Sequence, residues 1–162
     1  QQKGVQCVCI RCREPRADTT GIDQAQLFTE LYQASDGAEY FLTMEDPDQK
    51  KLFAFVRLRL QQRQQHWYDE LQDAAIIREL HVYGQLVPVA EEGRLPAEAQ
   101  GGADERRWVQ HRGFGRKLME HAENIAKQQG FTKMAVIAGV GVRQYYAKLG
   151  YTLVGEYMIK LL

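Results

Sequence analysis

The sequence predicts an α/β (α+β) domain, in which a sheet is covered by helices. Three observations predict it. Segments that alternate apolar and polar residues are interleaved with segments whose apolar residues recur every three to four positions. Glycines and an Asp-Pro pair stop several of these segments. The chain has 162 residues, the size of one domain.

The elements follow in order. Residues 8–12 alternate Val8, Ile10 and Cys12 as a short strand would, and Pro15 ends it. Residues 23–34 carry Leu27, Phe28 and Leu31 at helical spacing and predict a short helix. Asp36-Gly37 marks a turn. Residues 40–44 and 52–60 predict strands. The second sets Val56, Leu58 and Leu60 against Arg57 and Arg59, so one face is buried and one is wet. Residues 75–89 are the most apolar stretch and predict a central strand, with a bulge expected at Gly84. Residues 90–105, acidic and glycine-containing, predict a long loop. A helix follows with Leu118, Ala122, Ile125 and Ala126 on one face and Gly130 as its C-cap. Residues 134–138 predict a short buried strand. A second helix reaches about Leu149, and the last twelve residues predict one or two strands bent at Gly155.

Composition excludes several function classes. Basic and acidic residues balance at 21 each, which excludes a polycationic surface, though not a local patch. No apolar run is long enough to cross a bilayer, so no membrane role is expected. The three cysteines, Cys7, Cys9 and Cys12, are too few and too clustered for a disulfide framework. A reducing, cytoplasmic setting is expected. The chain opens on Gln1, as a piece of a longer protein would.

The sharpest motif is Gln110-His111-Arg112-Gly113-Phe114-Gly115, which opens the first long helix. Gly113 and Gly115 allow close backbone approach. A helix N-terminus offers free N–H groups and a positive dipole end. With Arg112, Arg116 and Lys117 nearby, this is an anion site suited to a pyrophosphate. It lacks the Gly-Lys-Ser/Thr of a Walker loop and the third glycine of a dinucleotide fingerprint.

In this context the motif resembles the acetyl-CoA site of the GNAT acetyltransferases. Two further segments, residues 78–84 (RELHVYG) and 139–146 (GVGVRQYY), narrow the resemblance. Together with the cysteine cluster and Tyr157-Met158-Ile159-Lys160, they resemble the C-terminal acetyltransferase part of the Elongator catalytic subunits. The resemblance implies a GNAT fold with a mixed, mostly antiparallel sheet and flanking helices. It implies acetyl-CoA as cosubstrate and a role in making 5-carboxymethyluridine at the tRNA wobble position. In that family a radical-SAM domain, with a 4Fe-4S cluster and S-adenosylmethionine, precedes the acetyltransferase domain. This chain carries no cluster motif of that kind, so a truncated protein is expected, limited to binding and hydrolysing acetyl-CoA.

The resemblance also assigns roles. The thioester would meet backbone N–H groups of the central strand from Val82 onward. The pyrophosphate would lie on Gln110, His111, Arg112, Gly113, Phe114, Gly115 and Arg116. Tyr145 or Tyr146 would protonate the departing thiolate or orient the acyl group, with Tyr146 ranked first. Glu79 would serve as general base if the acceptor were an amine, although a Glu paired with a nearby cation is the plainer reading.

Cys7, Cys9 and Cys12 offer three soft ligands for Zn²⁺. The fourth would be His66, His81, His111, His121 or an external group, and the family resemblance points to His81. Residues 1–16 are therefore expected to form a zinc-binding linker, and 17–162 the acetyltransferase domain. Lys3, Arg11, Arg13 and Arg16 with Arg57, Arg59 and Arg63 could form a basic stripe. By composition it is an ordinary wet face; the resemblance makes the tRNA anticodon region its partner. The radical-SAM domain and other Elongator-type subunits are further expected partners. Two competing readings remain open: a protein lysine acetyltransferase and a non-catalytic scaffold of the same fold.

Overall fold

A computed structural model describes residues 7–16, 18–61, 68–83 and 113–162. The elements are α1 (Ile10–Arg13), β1 (Gln26–Ala34), β2 (Gly37–Glu45), β3 (Leu52–Leu60) and β4 (Ala74–Val82). They continue with α2 (Phe114–Gln128), β5 (Lys133–Val136), α3 (Arg143–Lys148), β6 (Thr152–Val154) and β7 (Tyr157–Leu161). The seven strands form one sheet in the order β1-β2-β3-β4-β5-β7-β6. Only β4 and β5 run parallel; every other neighbouring pair is antiparallel. The expected α+β architecture with a mostly antiparallel sheet is what forms.

Two predicted elements change type. The helix expected over residues 23–34 is instead a single 3-10 turn, Ile22–Gln24, followed by strand β1. Leu27 and Leu31 are four apart, which suits a helix, but four is also twice the strand period. Pairing decides it, because β1 is zipped to β2 along all nine residues. The strand expected over 8–12 is the short helix α1, with Arg13 N–H on the Cys9 carbonyl at 3.1 Å. Residues 52–60 match β3 to the residue, and the strand expected over 40–44 lies within β2. β4 covers the first part of the strand expected over 75–89, whose residues 84–89 lie outside the described residues.

α2 lays Leu118, Met119, Ala122, Ile125 and Ala126 on one face of the sheet, against Leu42, Val56, Leu58 and Ile77. The helix ends as a glycine cap requires. Gly130 takes φ 86°, and Phe131 N–H reaches back to the Ala126 carbonyl at 3.0 Å. The β6–β7 turn bends at Gly155, φ 57°. The opposite face of the sheet carries the N-terminal segment, clamped by buried Pro15 and by Arg13 Nη1 on Glu45 Oε2 at 2.5 Å. Residues 7–16 are thus packed on the domain rather than hung from it.

The central strand is interrupted at Arg78; Gly84, where a bulge was expected, lies outside the described residues. Arg57 faces Glu79 while its neighbour Leu58 faces Ile77, so Arg78 is an extra residue in β4. The bulge changes which residues point inward. Ala75 and Ile77 are in the core before it; Leu80 and Val82 pack on the same core after it.

Candidate functional site

The site begins where β4 leaves β5. Their pairing stops at Ile77 opposite Val136, with one further bond from Ile137 N–H to the Ile77 carbonyl at 3.3 Å. Beyond that point β4 runs on to Val82 paired only with β3. Tyr83 N–H donates to the Phe53 carbonyl at 2.9 Å, towards β3. Alternate residues of a strand point their N–H groups oppositely. The Val82 and Leu80 N–H groups therefore face away from β3, into the gap left by β5. Among the described residues these are donors without a strand partner, held in line at the open edge of β4.

The N-terminus of α2 lies beside Val82. Its cap, Gly113, sits at φ 69°, a left-handed conformation suited to glycine. The first satisfied amide is Lys117 N–H, on the Gly113 carbonyl at 3.0 Å. The N–H groups of Phe114, Gly115 and Arg116 precede it and have no side-chain cap. Gly115 is needed for space. A Cβ there would lie 2.6 Å from Tyr145 Oη and 3.4 Å from Val82 Cγ2. The strand end, the helix start and the tyrosine from α3 therefore meet at one point.

The two tyrosines differ. Tyr146 is 5% exposed, belongs to the core and meets the Tyr151 ring edge-on at 6.0 Å. Burial pushes its hydroxyl up to about 12. Tyr151 donates to Glu123 Oε1 at 2.8 Å, and Lys160 Nζ holds the same carboxylate at 2.8 and 2.9 Å. Tyr145 leans on Tyr146 at 5.3 Å. Its hydroxyl is buried and has no hydrogen-bond partner among the described residues. Burial raises its pKa as well, so it stays protonated and able to donate. A buried donor without a partner costs stability, which marks it for a ligand rather than for the fold.

The other expected site residues separate from this point. Phe114 is core, 4% exposed and 6.4 Å from the Phe53 ring. Arg116 is exposed at the helix start. Gln110, His111 and Arg112 lie outside the described residues, as does His66. Glu79 faces the other side of the sheet, 3.8 Å from Arg57 and half-exposed. Of the basic stripe, Arg13, Arg57 and Arg59 are each paired with a carboxylate, Glu45, Glu79 and Glu39 respectively. Lys3 and Arg63 are not among the described residues. Arg11 and Arg16, the other two described members, are exposed.

The cysteine sulfurs do converge. Those of Cys7, Cys9 and Cys12 lie within 4.8 Å of one another, exposed to solvent. The Cys12 backbone N–H, then the neighbouring thiols, lower Cys9 to about 7. Cys12, donating to Cys9, is raised to about 11. A soft ligand set with one thiolate already favoured fits a zinc ion. His81 does not join it. Its ring stacks on Phe55 at 5.6 Å and meets Tyr83 at 4.4 Å. The bulge turns His81 onto the second face of the sheet, the face that also carries the N-terminal segment and where Phe55 is buried.

Comparison with known proteins agrees with this geometry. Residues 106–151 match the model of the acetyltransferase (GNAT) family. Mouse Elongator complex protein 3 is 42% identical over 163 residues, which cover 94% of this chain and 28% of the mouse protein. The tRNA uridine(34) acetyltransferase of Methanocaldococcus jannaschii is 41% identical, over 100% of this chain and 29% of its own length. The chain is a GNAT-fold member of the Elongator complex protein 3 family. The solved structure of an archaeal Elp3 from Methanocaldococcus infernus superposes with a TM-score of 0.76 at 39% identity. It covers 98% of this chain and 36% of the other. The chain thus spans under a third of the curated relatives it matches. No helix among the described residues is long and apolar enough to cross a membrane.

Proposed function

We propose that the chain binds acetyl-CoA in the gap between β4 and β5 and delivers its acetyl group in tRNA wobble-uridine modification. The observation that carries this is the meeting of Val82, Gly115 and the partnerless Tyr145 hydroxyl at the uncapped start of α2. The pyrophosphate lies on the N–H groups of Phe114, Gly115 and Arg116, where the helix dipole favours an anion. Those of Leu80 and Val82 polarise the thioester carbonyl as charge develops on its oxygen. The Tyr145 hydroxyl donates to the sulfur as the carbon–sulfur bond breaks, leaving coenzyme A as the thiol. This reverses the expected ranking of the two tyrosines, because Tyr146 is committed to the core. With water as acceptor, its oxygen takes the acyl carbon as the carbon–sulfur bond breaks, the Tyr145 proton goes to the sulfur and the proton lost by water returns to the Tyr145 oxygen, so no carboxylate base is required. The position of Glu79, paired with Arg57 on the opposite face, argues against a lysine acetyltransferase.

The substrate, uridine 34 of a tRNA, is taken from the name of the archaeal relative; the companion radical-SAM domain and the cytoplasmic setting rest on the family resemblance alone. In this reading residues 1–16 form a zinc-binding linker to residues 17–162. Cys7, Cys9 and Cys12 supply three ligands, and a group other than His81 supplies the fourth. The metal would brace the N-terminal segment and takes no part in the chemistry. Chelation is expected to loosen residues 7–12 in amide exchange while far-ultraviolet circular dichroism of the sheet and α2 stays unchanged.

The deciding experiment is calorimetric titration with acetyl-CoA, followed by release of free thiol with and without tRNA. Saturable binding and tRNA-stimulated thiol release, lost in Tyr145→Phe but kept in Tyr146→Phe, are expected. Binding with transfer to lysine peptides instead would establish the amine acetyltransferase. Absence of binding would leave a scaffold.

A further inference from the structure

Among the described residues three carboxylates are buried. Two lie on the second face of the sheet, Glu39 against Arg59 and Arg78, and Glu45 against Arg13. The third, Glu123, lies on α2, beside core residues Ala122, Ile125 and Ala126. Burying a charge there carries a desolvation cost, and replacing such a pair by apolar residues of similar volume is often neutral for stability. The acetyl-CoA reading gives Glu123 no part in the chemistry. The carboxylate is better explained by what it holds in place.

It holds the end of α3. Tyr151 Oη donates to Glu123 Oε1 at 2.8 Å, and Lys160 Nζ, from β7, donates to both carboxylate oxygens. The same ammonium lies 5.4 Å from the centre of the Tyr151 ring. Tyr151 is joined firmly to α3. Gly150 takes φ 88° and its N–H donates to the Ala147 carbonyl at 3.0 Å, while Tyr151 N–H donates to the Tyr146 carbonyl at 3.1 Å. This is a Schellman ending, completed by the contact between the Tyr146 and Tyr151 rings. Burial, then the carboxylate it faces, raises the Tyr151 pKa, so its hydroxyl stays a donor.

α3 has six residues, of which only Tyr146 is buried, and a helix so short takes its place from its contacts. Tyr146 in the core fixes which side of α3 faces inward. Apolar burial is non-directional and does not fix how far α3 slides along α2. A hydrogen bond from Tyr151 to Glu123 does. Glu123 lies eight residues beyond Gly115, about 12 Å along the α2 axis. α3 and its cap are thus fastened at both ends of that span, by Tyr145 at Gly115 and by Tyr151 at Glu123. We propose that Tyr151, held by Glu123, is a positioning residue for Tyr145, setting α3 along α2 so that the Tyr145 hydroxyl stands at Gly115 beside Val82. Tyr151 touches no ligand in the acetyl-CoA reading, on which the kinetic part of this inference rests.

The test uses the full chain with Tyr151→Phe, Glu123→Leu and Glu123→Gln. In the native chain the Tyr145 ring protons should show an Overhauser effect to the Gly115 α-protons. Tyr151→Phe and Glu123→Leu should weaken it. Glu123→Gln, whose amide oxygen can still accept from Tyr151, should keep it. In thiol release, Tyr151→Phe should lower kcat about tenfold with KM within about twofold, since the α2 cradle is untouched. Added to Tyr145→Phe, it should lower turnover no further, because no hydroxyl is left to place. A native Tyr145–Gly115 Overhauser effect in Tyr151→Phe overturns the proposal whatever the kinetics, and so does a further tenfold loss in the double variant. If the native chain binds no acetyl-CoA, the acetyl-CoA reading fails by itself and the Overhauser data still decide what holds Tyr145.

Discussion

The two halves of β4 are one strand in sequence and two environments in space. Ala74, Ala75, Ile76 and Ile77 are paired with β3 or β5 or both, and all are buried but half-buried Ile76. Beyond the Arg78 bulge, Leu80 and Val82 are paired on one side only and half-buried, while Glu79 and His81 are exposed. The first half spends its hydrogen bonds on the fold; the second keeps them for something else. A strand can present aligned N–H donors to a ligand only where it loses a neighbour, and a firm half beside it keeps the loose half straight.

The comparison can be broken most forcefully in the firm half. Ile77→Ala removes a fully buried side chain and should cost about 2–5 kcal/mol in urea denaturation. Val82→Ala, at a half-buried site, should cost well under half of that. Equal costs would show that the halves do not differ.

The next effect belongs to the loose half. Tyr145→Phe deletes a buried hydroxyl that nothing in the fold uses. Stability should hold or rise slightly, while thiol release falls about a hundredfold, the scale of a lost proton donor. A loss of stability with unchanged turnover would assign Tyr145 to the core. Gly115→Ala tests the same point from α2. Its methyl group would lie 2.6 Å from Tyr145 Oη. Calorimetry should show acetyl-CoA affinity down about tenfold with no loss of thermal stability, because alanine favours a helix interior.

The smallest effect is on pH dependence. Glu39 is held below its ordinary range in the folded chain, so its contribution is complete above about pH 4.3, the unfolded value, and is lost as pH falls through the folded one. The acid limb of a stability–pH curve should flatten in Glu39→Gln. An unchanged limb would mean the carboxylate is not ionised against its arginines.

Much of this was legible in the sequence. A period-two pattern located β3, apolar runs located β2 and the start of β4, and Gly113 and Gly115 located the start of α2. The bulge was legible too, in the phase slip from Ala75 and Ile77 to Leu80 and Val82, but Gly84 drew attention away from it. That one slip also sets Glu79 and His81 on the face of the sheet that carries Arg57 and Phe55. β1 was misread because Leu27 and Leu31 satisfy both periods, and only pairing with β2 separates them. The choice between Tyr145 and Tyr146 could not be read at all, since adjacent helix positions differ by packing alone.

The most direct measurement is an amide titration of the nitrogen-15-labelled chain with acetyl-CoA. The largest saturable shifts should fall on Leu80, Val82, Phe114, Gly115 and Arg116, with His81 and Tyr83 moving little. Largest shifts at His81, Tyr83 and Phe55, on the other face of the sheet, or no saturable shift anywhere, would contradict a thioester site in the gap between β4 and β5.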